Sequence, residues 1–177
     1  MVFPKEEKPR IQSSIARVIR AGCRLIDTAG IYGTEDLIGG AIRESGIPRS
    51  EITVVTKLPN SRHGDPQTAF DESLKLLDTG YIDVYLMHWP TATDGARQLT
   101  IDESPTFVET YKKMEALVGR KCKSIGVSNF SQKTLDALLK HATIKPVVNQ
   151  VELHALNPNL KLVPYCQERG IQVMAWG

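Results

Sequence analysis

No stretch of this sequence is apolar for long enough to cross a bilayer, and its first ten residues (MVFPKEEKPR) lack the hydrophobic core of a secretory leader. A cytosolic (cytoplasmic) address is the expectation that follows. Cysteine is scarce: Cys23, Cys122 and Cys166 are odd in number, far apart, and form neither a CxxC pair nor a disulfide framework. Buried or bystander thiols are expected. Excess charge of one sign is lacking too. Against 20 Asp and Glu, the 22 Lys and Arg leave a net charge of +2, too mild to imply nucleic acid or a membrane surface as partner. No His-x-His pair or other clustered ligand set ends an apolar run, which argues against a metal-dependent hydrolase. No GxGxxG follows the first such run; Gly39-Gly40 falls inside a helical pattern instead.

What the chain does have is a series of short apolar runs that end in reactive side chains. Cys23–Ile26 ends in Asp27, Ile52–Thr56 in Lys57, and Val84–Met87 in His88. Ile125-Gly126-Val127 leads into Ser128-Asn129, and Val147-Val148 into Asn149-Gln150. Charged groups at the end of a buried strand are costly unless paired or used. In neighbouring parallel strands those ends would meet in one place.

Helical periodicity fills the gaps between the runs. Ile11, Ile15, Val18 and Ile19 share a face before Gly22, and Leu37, Ile38, Ala41 and Ile42 share another before Gly46. Asp65-Pro66, Ser104-Pro105, Ser131 and Asn157-Pro158 supply further helix starts. Helix and strand therefore alternate up to a last run, Ile171–Trp176. The 177 residues suffice for one domain, expected over 1–177. Strands joined by helices and buried on both faces predict an α/β fold with a parallel sheet. At least five consecutive polar strand ends suit the mouth of a (β/α)8 TIM barrel better than the single switch point of an open sheet. Six strands are countable, two short of a closed barrel. The one long connection, from Trp89 to about Ser104, is expected to shape access to the mouth.

Four of these residues can make a tuned acid. Free tyrosine, with a pKa near 10, is a weak proton donor at neutral pH. Lys57 beside Tyr32 would stabilise the phenolate and lower that value, with Asp27 keeping the lysine charged and oriented. His88 could then hold a carbonyl oxygen by a hydrogen bond. Singly, each has a bland reading: a snorkelling lysine, a loop-capping aspartate, a core histidine, a packing tyrosine. Ser128-Asn129 could simply start the next helix. His63 reads as a polar-loop residue and His141 as a helix-end cation, and neither these nor His154 receives a role.

The strings GCRLIDTAGIYGTEDLIGGAIRESGIPR, VVTKL, LMHWP, SIGVSNF and VVNQVELH, in this order and spacing, resemble those of the aldo-keto reductases. The resemblance runs from about Ile15 to Gly177. It implies a catalytic tetrad of Asp27, Tyr32, Lys57 and His88. It also implies a nicotinamide site made by Ser128, Asn129, Gln150 and Asp27, an aromatic stacking role for Trp176, and a substrate pocket at Tyr32, His88 and Trp89. The implied activity is NADPH-dependent reduction of an aldehyde or ketone, with NADH possible and Tyr32 as proton donor. Trp176-Gly177 stands where the family usually has Tyr-Ser-Pro-Leu. The six runs correspond to family strands two to seven, so an incomplete barrel is expected, without the first strand or the eighth with its phosphate-gripping basic segment. That leaves a second reading, a binding or regulatory protein without useful turnover. Oligomeric state is left open.

Overall fold

The computed structural model describes residue 4 and residues 6–177; the remainder of the polar N-terminal segment, read above as lacking a leader, lies outside the described residues. Among the described residues six α-helices and six strands alternate along the chain. Helices α1 (Lys8–Arg20), α2 (Glu35–Ser45), α3 (Pro66–Leu77), α4 (Phe107–Glu115), α5 (Gln132–Leu139) and α6 (Leu162–Glu168) are each followed by a strand. The strands are β1 (Leu25–Asp27), β2 (Thr53–Leu58), β3 (Ile82–Met87), β4 (Cys122–Ser128), β5 (Val148–Glu152) and β6 (Gln172–Trp176). All pair in parallel in the order β1-β2-β3-β4-β5-β6. The sheet curls with helices around it, as in an incomplete (β/α)8 barrel.

Burial follows sheet position. The central strands β2, β3 and β4 are enclosed on both faces, as their β-branched composition requires, while β1 and β6 have one strand neighbour each among the described residues and are more exposed. Two glycines allow close approach. A Cβ at Gly126 would lie 2.7 Å from both the Val148 carbonyl and Leu86, and one at Gly39 would collide with the Leu77 carbonyl. The first contact lets β5 pack against β4; the second seats α2 on the end of α3.

Register brings the polar ends together. Asp27 pairs with Val55, Lys57 with Leu86, Ser128 with Gln150, and Gln150 with Met174. Asn149 and Gln150 lie within β5 rather than beyond it.

Four expectations are corrected. Helix α4 is capped by Thr106, not Ser104: Thr106 Oγ1 accepts from the Glu109 amide at 3.2 Å while Glu109 Oε2 accepts from the Thr106 amide at 2.7 Å. Helix α6 starts at Leu162, not Asn157-Pro158. His154 and Asn157 exchange backbone hydrogen bonds, Asn159 takes a left-handed φ of 46°, and both asparagine amides bond the Glu152 carbonyl, so that segment is held as a loop. Val18 is 56% exposed, because α1 turns Ala16 and Ile19 into the core and leaves Val18 over an apolar groove with Ile15, Leu25 and Ile26 along the β1 edge. His63 is buried, 1% exposed, and neither ring nitrogen has a partner among the described residues.

Candidate active site

The C-terminal ends of the strands enclose a cavity of about 240 Å³ lined by Asp27, Tyr32, His88, Trp89, Ser128, Asn129, Gln150 and Trp176. Those eight and Lys57, which lies beneath them, are the nine residues singled out from the sequence.

Lys57 ends its reach inside the fold. Its ammonium donates to Asp27 Oδ2 at 2.7 Å and to the Thr28 carbonyl at 2.8 Å. Burial lowers its pKa, and the hydrogen bond and charge of Asp27 oppose that fall. The Thr28 carbonyl was not foreseen as a ligand of the lysine; it follows from Thr28 continuing the β1 ladder, its amide bonded to the Val55 carbonyl at 2.8 Å.

Tyr32 stands on a 3-10 turn, Gly30–Tyr32, closed by its amide on the Ala29 carbonyl at 2.9 Å. Gly33 follows with φ 65°, a left-handed turn that suits glycine. The Tyr32 ring lies 5.2 Å from Lys57 Nζ and meets His88 edge-on, centroids 5.8 Å apart. The expected lowering of the tyrosine pKa does not hold. Burial raises it, and the Asp27 carboxylate raises it further. The physical reason is that the lysine charge is already matched by Asp27, so the phenol faces a compensated pair rather than a free cation.

His88 follows β3 and is buried. Desolvation, aided by the Lys57 charge, pushes its pKa down to about 4, so the ring is neutral at pH 7 and offers one N–H. Neither ring nitrogen has a hydrogen-bond partner among the described residues, and Nδ1 is enclosed.

Opposite, Ser128 Oγ donates to the Gln150 carbonyl at 2.8 Å and Asn129 Nδ2 to the His88 carbonyl at 2.9 Å. Trp176 Nε1 donates to Asn129 Oδ1 at 3.1 Å, which fixes the indole at the cavity wall. Asn129 has φ 62°, a strained conformation that asparagine tolerates better than most residues. Gln150 Nε2 donates across the mouth to Asp27 Oδ1 at 2.9 Å, and to Met174 Sδ at 3.2 Å. That bond joins β5 to β1 and links the two halves of the site. Met174 was missed in the sequence, where an apolar strand residue carries no sign of a polar contact.

Among the described residues no group of three or more His, Cys, Asp or Glu could hold a metal ion, and no helix is long and apolar enough to cross a membrane.

The Aldo/keto reductase family model matches residues 3–177. Glycerol 2-dehydrogenase (NADP(+)) of Saccharomyces cerevisiae is 40% identical over 183 residues, covering 92% of this chain and 58% of that protein. Glyoxal reductase of Bacillus subtilis is 39% identical, covering 99% of this chain and 60% of that protein. The crystal structure of a Bombyx mori aldo-keto reductase in complex with NADP superposes with a TM-score of 0.87 at 35% identity, covering all of this chain and 59% of that one. The chain thus spans less than two thirds of the length of these relatives. With a family model matched over nearly every residue and the parallel strands in the same arrangement, this chain belongs to the aldo/keto reductase family.

Proposed function

We propose that this site reduces an aldehyde or ketone to an alcohol with NADPH as hydride donor. The observation that carries the reading is the single cavity that gathers Asp27, Tyr32, His88 and Trp89 on one side and Ser128, Asn129, Gln150 and Trp176 on the other. NADP appears in the names of the yeast and silkworm relatives. The residues here fit the nicotinamide end of such a dinucleotide. With its amide nitrogen spent on Asp27 and Met174, Gln150 keeps its carbonyl oxygen for a carboxamide N–H. Ser128 and Asn129 add a hydroxyl and an amide, and Trp176 offers an indole to stack against the ring. NADH shares that end of the molecule and would meet the same groups. When bound, the dinucleotide supplies the hydride.

The protein's own residues hold the carbonyl and manage the proton. Tyr32 and His88 line the same cavity with their rings edge-on, so a carbonyl oxygen bound there would accept a hydrogen bond from the phenol and from the imidazole. His88, neutral at working pH, positions that oxygen without adding a charge. As negative charge develops on the oxygen, Tyr32 donates its proton. An alkoxide is a much stronger base than a phenolate, so the transfer is favourable even with the tyrosine pKa raised. The ammonium of Lys57 beneath the ring then faces the phenolate. Trp89 closes the substrate side.

Titration with NADPH by fluorescence, followed by turnover with a generic aldehyde, tests the reading. Tyr32→Phe is expected to reduce kcat by about a hundredfold or more while cofactor affinity changes less than about threefold. Retained turnover in that variant removes Tyr32 as donor. NADPH binding by the unaltered chain without oxidation would leave a binding protein, not a reductase.

A further inference from the structure

Glu35 is a carboxylate that the chemistry above leaves unused. It is the first residue of α2, three positions after Tyr32, and is only 2% exposed. Its Oε1 accepts from Thr56 Oγ1 at 2.7 Å, and the hydroxyls of Thr56 and of Ser73 in α3 both act to lower its pKa. Both partners are neutral hydroxyls. Burial raises its pKa against the pull of those hydroxyls, a desolvation cost that an apolar residue would avoid, so packing alone does not account for it.

Its location suggests the reason. Thr56 immediately precedes Lys57 on β2. The loop from β1 to α2 is laced to that strand at three points: the Thr28 amide on the Val55 carbonyl, the Lys57 ammonium on the Thr28 carbonyl, and Glu35 on Thr56. Between them Thr28 and Thr34 join hydroxyls at 3.1 Å across the base of the loop. Tyr32 sits at the apex, held below by its own turn and by Gly30, where an added Cβ would press on Pro59 at 3.3 Å.

We propose that Glu35 is a positioning residue for Tyr32: by bonding Thr56 it ties the tyrosine-bearing loop to the strand that carries Lys57, and so sets the phenol against Asp27, Lys57 and His88. The inference rests on Tyr32 being the proton donor. It concerns placement, so it can be read without turnover.

The test compares the full chain with Glu35→Ala, Glu35→Gln and Thr56→Val. Tyr32 is titrated by tyrosinate absorbance, with Tyr32→Phe as the blank. In the unaltered chain the phenol is expected to ionise above its ordinary value. In Glu35→Ala and Thr56→Val it should move down toward that value as the loop loosens into water, while Glu35→Gln, which keeps an oxygen acceptor for Thr56, should stay with the parent. Amide exchange at Tyr32 and Gly33 should quicken about tenfold or more in the loosened variants, with Ile125 and Val127 unchanged. In NADPH-dependent turnover, kcat should fall about tenfold or more in Glu35→Ala with KM nearly constant, and recover in Glu35→Gln. An inactive parent would overturn the reductase reading, yet the titration and exchange would still decide where Tyr32 is held. Unchanged titration of Tyr32 in both Glu35→Ala and Thr56→Val, with protection lost evenly over the sheet, would make Glu35 a helix anchor only and overturn the proposal. If Glu35→Ala fails to fold, Thr56→Val carries the comparison alone.

Discussion

The side chain of Lys57 is 1% exposed, whereas that of its partner Asp27 keeps 31% of its surface in water. The two ends of this ion pair should therefore respond unequally to removal. Asp27→Asn leaves a buried ammonium with the Thr28 carbonyl and no matching charge, a loss expected to cost about 3 kcal/mol. Lys57→Met fills the same space with an apolar chain, and the remaining carboxylate keeps the Gln150 amide and solvent. Its cost should be below about 1.5 kcal/mol. Urea unfolding of both variants measures the asymmetry, and equal losses would contradict it. His63 supplies a second contrast at this scale. Burial pushes its pKa down to about 4, as it does for His88, while the unfolded chain binds those protons near pH 6.5. Between these values the unfolded state holds more protons, so stability falls as pH falls from about 6.5 to about 4 and levels off below. His63→Leu removes one of the two groups. Between pH 7 and pH 5 the parent should lose about 2 kcal/mol more than this variant by urea unfolding. Parallel losses would show that His63 does not titrate this way.

Among the elements, β4 shows how closely backbone approach is specified. Gly126→Ala places a methyl against the Val148 carbonyl and Leu86, and neither the strand nor its neighbour can yield without disturbing the Ser128–Gln150 register. A loss of about 2–3 kcal/mol is expected, together with weaker NADPH binding, because Ser128, Asn129 and Gln150 move with the strands. Thermal melting and cofactor titration would detect both; an unaffected Tm would mean the sheet has slack there. The same strands show why so much of the site was legible in the sequence. Asp27, Lys57, His88, Ser128 and Gln150 each follow a β-branched or apolar run, and parallel register delivers such ends to one rim. The starts of α4 and α6 were less legible. Ser104-Pro105 and Asn157-Pro158 have the composition of helix caps, but Thr106 completes a reciprocal box with Glu109, and the Glu152 carbonyl captures Asn157 and Asn159. Those choices depend on partners that composition does not display. The raised pKa of Tyr32 was hidden for a related reason: a lysine beside a tyrosine lowers its pKa only if the lysine charge is unspent, and Asp27 spends it.

For the molecule as a whole, the decisive feature is the pair of strand edges. The outer side of β1, Leu25–Asp27, and that of β6, Gln172–Trp176, have no strand partner among the described residues. Beside β1 runs the groove lined by Ile15, Val18, Leu25 and Ile26, with Val18 and Leu25 largely exposed. Backbone donors and acceptors along an apolar edge invite pairing with another chain, and lysine on an edge strand opposes it through desolvation and charge repulsion. The 177-residue polypeptide on its own is therefore expected to self-associate at micromolar concentration. Leu25→Lys should shift it toward monomer without loss of the fold, since the side chain already faces solvent. Light scattering coupled to size exclusion measures both states, and a parent monomeric at every concentration would remove edge pairing from the account. A link to the site follows from the Gln150–Asp27 bond, which spans from β5 to the same β1 edge. Pairing at β1 that shifts Asp27 would loosen that bond. NADPH titration should then show tighter binding for Leu25→Lys than for the associated parent, and identical affinities would show that the edge and the mouth behave independently.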